Sequence, residues 1–328
     1  MIIHSFGYND DPDLQVAKKI SDRLALKCFF IRPPEMASGQ FLNKAADYAA
    51  AVQMIEPVSS YLKLAVMEKS YFADKFLIDG AFAEFARRQF MNKLLIKGKK
   101  ALLNRKYAEV VKLLMVPKPR IFKDDIEEMM FDNSVEQIKK IFESFPDPAE
   151  VGLENFADMI VVKFRIPNYL GPEQNRLDDI LAGFTLFAQR SVISASLGIP
   201  AAQRKNSQLF YKAIHENYPA LEEFPLVKNG TIYPYGMGSL TAYAYTGLKK
   251  KLRMSSREAT LDNLFRTHEK VIKEIITREA IREYEPYDDE SVMRIINDFY
   301  SGKTKNTYDL NWLLTFELFR KKLDITAV

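Results

Sequence analysis

Hydrophobic positions change their period twice near the start of this chain. Ile2 to Phe6 alternates as a short strand does, and Gly7 to Asp11 gathers turn-forming residues. From Pro12 onward, Leu14, Ala17, Ile20 and Leu24 recur at helical spacing, with Pro12 suited to a first turn and Asp11 a candidate N-cap. Lys27-Cys28-Phe29-Phe30-Ile31 is then a short apolar run closed by Pro33-Pro34, which predicts a buried strand. Strand, helix and strand in such a short stretch predict a crossover unit with its two strands parallel.

Helical spacing follows over 41–55 and 58–69, and Lys75-Phe76-Leu77-Ile78 predicts another strand running into Asp79-Gly80. Beyond it strand patterns nearly vanish. Amphipathic helices are predicted over 106–116, 134–146, 153–165, 173–198, 205–217, 238–251, 257–283, 289–300 and 308–324. Prolines such as Pro117, Pro146, Pro167, Pro200 and Pro219 stand where helices are expected to stop or bend. No internal repeat is evident. The pattern predicts a sheet-bearing portion over 1–100 and a helical remainder of the same domain over 101–328.

Composition narrows the function classes. The chain has 328 residues, 47% of them hydrophobic, which is ample for a large core. Basic and acidic residues nearly balance at 47 against 43, so bulk nucleic-acid binding is not expected. One cysteine, Cys28, excludes an internal disulfide and suits a reducing, cytoplasmic setting. Three dispersed histidines argue against a structural zinc site. The N-terminus lacks the basic-then-apolar pattern of a secretory signal, and no apolar run approaches the roughly twenty residues of a membrane span.

The opening unit resembles the asparagine synthase family, in which a strand ending in "SF.VG" is followed by "sPDL..A...A..L". Here the corresponding residues are Ser5-Phe6-Gly7 and Asp11-Pro12-Asp13-Leu14. The resemblance runs in order from residue 2 to about 238. It implies an α/β fold, a truncated doubly wound parallel sheet of the adenine nucleotide alpha-hydrolase type followed by a large helical region. It also implies chemistry with Mg-ATP, in which a carboxylate is activated as an acyl-adenylate and an amine or ammonia attacks it. The family's "SGGxDS" phosphate loop lies on a strand before the first one here. Ser5-Phe6-Gly7-Tyr8-Asn9-Asp10 falls at the end of the following strand and is not its equivalent, so the resemblance is to a member lacking the loop and the glutaminase domain. Such a member is expected to be a fragment of a longer enzyme, a non-catalytic homologue, or half of a split enzyme whose companion chain carries the loop.

Two segments carry the residues that the resemblance would place at the site. Leu77-Ile78-Asp79-Gly80-Ala81-Phe82-Ala83-Glu84 stands where the family has "SGEGSDE" or "GDGGDE", whose acids handle magnesium and pyrophosphate and whose glycines admit the phosphates. Asp79 and Gly80 keep its start and Glu84 its end, but Ala83 replaces an Asp and Phe82 a small residue. The plainer reading of the same residues is a helix start, with Asp79 as cap and Glu84 favouring the first turn.

The second segment, Gly198 to Pro219, stands where the family has a helix-start lysine that steadies the departing pyrophosphate. Ser207 takes that position, and Arg204 and Lys205, a turn earlier, are the cations that would substitute; solvated charges at a helix start are the alternative. The family's "E.R.PFLD" segment corresponds to Asp158–Gln189, with Arg165, Arg176, Asp178 and Asp179, and is not preserved as such. The expected function is that of a degenerate or fragmentary asparagine synthase-like protein, which if active forms amide bonds with ATP on small-molecule carboxylate and amine substrates. The alternative is a non-catalytic binding or partner homologue, or one half of a split enzyme.

Overall fold

The computed structural model describes residues 3–7, 11–32, 37–67, 75–83, 86, 91–116, 118–228, 230–252 and 256–323. Along the chain, strand β1 (Ile3–Phe6), helix α1 (Pro12–Arg23) and strand β2 (Cys28–Ile31) come first, then α2 (Ser38–Ala51) and α3 (Tyr61–Met67). After β3 (Leu77–Asp79) come α4 (Asn92–Lys97), α5 (Lys99–Leu103), α6 (Tyr107–Leu114), α7 (Asp124–Glu143) and α8 (Leu153–Ile160). A π-helix over Val161–Leu170, α9 (Gly171–Asp178), β4 (Gly183–Thr185), α10 (Arg190–Gly198) and α11 (Gln208–Asn217) follow. The hairpin β5 (Leu226–Lys228) and β6 (Thr231–Tyr233) precedes α12 (Ser239–Leu252), α13 (Ser256–Thr267), α14 (Glu269–Ile275), α15 (Arg278–Arg282), α16 (Asp289–Tyr300) and α17 (Thr307–Lys322). By contact the chain forms two compact units, residues 1–72 with 213–328 and residues 73–212, so each draws on both portions that the sequence pattern separates.

In the first unit β1 and β2 pair in parallel, with Ile3 opposite Cys28 and Phe6 opposite Ile31. The ladder is extended by the Gly7 amide, which donates to Ile31 O at 3.0 Å. Gly7 has φ +148°, and a methyl group on it would collide with the Asp11 carboxylate, so only glycine fits this turn. Asp11 occupies the N-cap position of α1, but its side chain makes no cap hydrogen bond and lies against Gly7 instead.

The C-terminal helix α17 is buried, as its density of apolar residues predicts, and it packs along α2. Its buried polar residues also complete the chain ahead of α3. Thr315 Oγ1 accepts from the Val58 amide at 3.0 Å, and Asn311 Nδ2 donates to Ser59 Oγ at 2.8 Å. Glu317, fully buried, accepts from Tyr287 Oη at 2.5 Å and from Nε and Nη2 of Arg320, each at 3.0 Å. Burial and the adjacent Glu317 push the Tyr287 phenol upward, so it stays a donor.

In the second unit the core is helical. Leu94, Leu102, Val110 and Val111 pack with Ile138, Phe142, Phe156 and Ile160. The Phe142 and Phe156 rings meet edge to face at 5.3 Å, a contact worth about 0.5–1.5 kcal/mol beyond its buried area. Here β3 pairs in parallel with β4, Leu77 opposite Gly183 and Asp79 opposite Thr185.

The chain is therefore mostly helical with small sheets, and the expected doubly wound sheet is not present among the described residues. The six strands among the described residues form three separate pairs, two parallel and one antiparallel. Several expected helices also break. The 173–198 pattern is interrupted because Gly183–Thr185 extends to pair with β3, so a distant partner overrides local period. The 153–165 helix gives way at Val161 to the π-helix that contains Pro167, whose missing N–H removes a helical hydrogen bond. Helix α7 begins well before residue 134, on an acidic first turn of Asp124, Asp125 and Glu127 that suits the helix dipole.

Candidate functional site

The strand end at Asp79 is built from its own backbone. Asp79 closes β3, and its Oδ1 accepts from the Ala81 amide at 2.9 Å, a local turn that spends one carboxylate oxygen on the chain. A carboxylate offers about four acceptor sites, so this bond leaves capacity for a cation. A Cβ on Gly80 would meet no atom of the described residues within 4 Å.

Two residues on, Phe82 is held at φ 70° with its side chain buried. A left-handed backbone costs a non-glycine residue roughly 1–2 kcal/mol, and burial of the ring is of the size needed to offset it. The buried Phe82 ring therefore anchors the turn. Glu84, expected as the second acidic ligand, lies outside the described residues.

Arg204 is placed quite differently from a helix-start cation. It ends the one-turn helix Ala201–Arg204 and is 1% exposed. Its Nη1 donates to Asp158 Oδ2 at 2.6 Å and its Nε to Ile199 O at 2.9 Å. Asp158 is itself buried on α8. An ion pair so short and so dry is a structural lock, because opening it would leave one charge unpaired in the core. Helix α11 begins only at Gln208, after Asn206 and Ser207 both take positive φ, 54° and 64°. That double left-handed step turns the chain, so Arg204 precedes the helix start by a full kink.

Lys205 points outward, half exposed, with its Nζ 3.6 Å from Glu154. The structure thus keeps Lys205 solvent-accessible and withdraws Arg204 into the core. Arg165, Arg176 and Asp178 of the expected substrate segment also have local partners. Arg176 is buried and donates to Pro172 O at 2.7 Å, and Asp178 accepts from Gln174 at 3.0 Å. The Arg165 guanidinium lies 4.6 Å from the Tyr169 ring centre.

The histidines fare likewise. His215 pairs with Glu222 at 2.9 Å on the surface, and buried His268 stacks on Phe41 at 5.1 Å. Among the described residues, no three His, Cys, Asp or Glu side chains group to hold a metal. A magnesium ion at Asp79 would therefore rely on water and phosphate oxygens for most of its shell, as that ion commonly does.

Sequence reasoning did not find the partner of Arg204. Asp158 opens the expected substrate segment, yet nothing in spacing ties it to a residue 46 positions later. The one available signal was an acid inside an otherwise apolar helical stripe, Phe156-Ala157-Asp158-Met159-Ile160, which calls for a buried cation. No family model matches the chain, and neither a curated protein nor a solved structure matches it.

Proposed function

We propose that this chain is an asparagine synthase-like protein that forms amide bonds at the expense of ATP, with the turn after β3 as its contact to magnesium and phosphate. The observation that carries the reading is the position of Asp79-Gly80. An acid closes a strand paired in parallel and a glycine with no described neighbour over its Cα follows it, at the carboxyl end where open α/β sheets take their ligands. In the reaction a substrate carboxylate oxygen attacks the α-phosphorus of ATP and pyrophosphate departs. An amine or ammonia then attacks the acyl carbon and AMP departs. Asp79 would hold the magnesium that neutralises pyrophosphate, and Lys205 is the accessible cation of the second segment.

The commitment of Arg204 to Asp158 favours a second reading, a binding or partner homologue without the full reaction, or one half of a split enzyme. A site that lacks one donor to developing charge typically loses about a hundredfold or more in rate. Carboxylate-dependent exchange of labelled pyrophosphate into ATP separates the two. Exchange that Asp79→Ala abolishes supports the ligase. Mg-ATP binding without exchange supports the binding homologue, and absence of both overturns the nucleotide reading.

A further inference from the structure

The segment Asn92–Leu103 sorts its side chains to two faces in an unusual way. Helices α4 and α5 meet at Gly98, where a methyl group would come within 2.8 Å of the Leu94 carbonyl oxygen and the Leu113 side chain. Glycine is needed there so that the two short helices can press into the core. Leu94, Ala101 and Leu102 share that inward face. The outward face carries Lys97, Lys99 and Lys100, all exposed, together with Ile96 at 75% and Leu103 at 43% exposure.

The neighbouring cations are matched, Arg105 with Asp147 at 2.8 Å and Lys106 with Glu109 at 3.0 Å. Among the described residues, Lys97, Lys99 and Lys100 have no carboxylate within ion-pair distance. Three exposed lysines in the same short segment as a largely exposed isoleucine combine the two attractions that hold a protein at an anionic bilayer, charge and apolar insertion.

We propose that this face docks on an anionic lipid surface, with Ile96 and Leu103 entering the headgroup layer and the three lysines lying over lipid phosphates. Nucleic acid would satisfy the lysines, but the outward apolar side chains are aliphatic and offer no ring for base stacking. Each lysine near such a surface contributes about fivefold in affinity, so the contact is reversible and fades as salt shortens the reach of charge.

Sedimentation of the full chain with vesicles tests the idea. Binding is expected to phosphatidylglycerol–phosphatidylcholine vesicles and not to phosphatidylcholine alone. Lys97→Gln, Lys99→Gln and Lys100→Gln together should lower it by roughly a hundredfold. Ile96→Asn, which leaves charge unchanged on a side chain outside the core, should lower it roughly tenfold. Matched far-UV circular dichroism shows that each variant keeps its fold. The proposal is overturned by absence of binding to anionic vesicles. It is equally overturned if Ile96→Asn binds them like the parent, or if a single-stranded oligonucleotide competes fully and the Ile96 change has no effect.

Discussion

The turn after β3 and the segment before α11 are the two places where the sequence resemblance puts site charges, yet those charges face opposite fates. Asp79 stays at a strand end, spending one oxygen on its own turn. Arg204 is drawn inward and fixed on Asp158. A guanidinium can serve a phosphate or lock a core, and burial decides which. At 1% exposure, the lock is the stronger description of Arg204. The lesson is that a cation at a plausible sequence position counts toward a site only after its partner is known.

The largest effect that sharpens this contrast is on stability. Arg204→Ala should cost about 3–5 kcal/mol in urea unfolding, because it strands the Asp158 carboxylate in the core. Pairing Arg204→Met with Asp158→Leu should recover much of that loss. A loss under about 1 kcal/mol for Arg204→Ala would break the comparison.

Asp79→Ala should cost only about 1 kcal/mol, the worth of a local turn bond, while removing nucleotide binding. Asp79→Asn keeps the acceptor for Ala81 and isolates the charge. Asn206→Gly is expected to stabilise by a few tenths of a kcal/mol to about 1, since glycine adopts φ 54° without strain. No gain there would mean that the Asn206 side chain contributes a contact of its own.

The smallest effect expected lies in the other unit. Burial lowers the His268 imidazole from its ordinary value, so the fold favours the neutral ring. The unfolded chain then binds the extra proton first. Stability should therefore be full above the unfolded value near 6.5 and decline as pH falls below it toward the folded value. A His268→Leu variant should flatten that slope in urea titrations, and an unchanged slope would assign the acid sensitivity to other groups.

How much of this was legible follows from range. The order and pairing of the β1–α1–β2 unit read directly from the sequence because its helix joins the two strands it serves. Strand β2 is not the buried strand its apolar run predicts, however: only Ile31 is buried, and Phe29 and Phe30 are 42% and 41% exposed. Helix α16 appears over Asp289–Tyr300, as its spacing predicts, since its apolar stripe and acidic start agree. The break at Gly183–Thr185 could not be read, because β4 exists only by pairing with a strand more than a hundred positions away. The site divides in the same way. The Asp79 turn involves residues two apart, whereas the fate of Arg204 depends on an acid 46 positions distant. Gly98 shows the reverse case, a glycine in a basic run whose packing role against Leu94 and Leu113 no periodicity reveals.

The most direct test of the central contrast is calorimetric titration of Mg-ATP into the parent chain, Asp79→Asn and the Arg204→Met/Asp158→Leu pair. The account predicts heat from the parent, its loss in Asp79→Asn, and its retention in the paired variant. Loss in the paired variant with retention in Asp79→Asn would contradict it, placing the working charge at Arg204 and the structural one at Asp79.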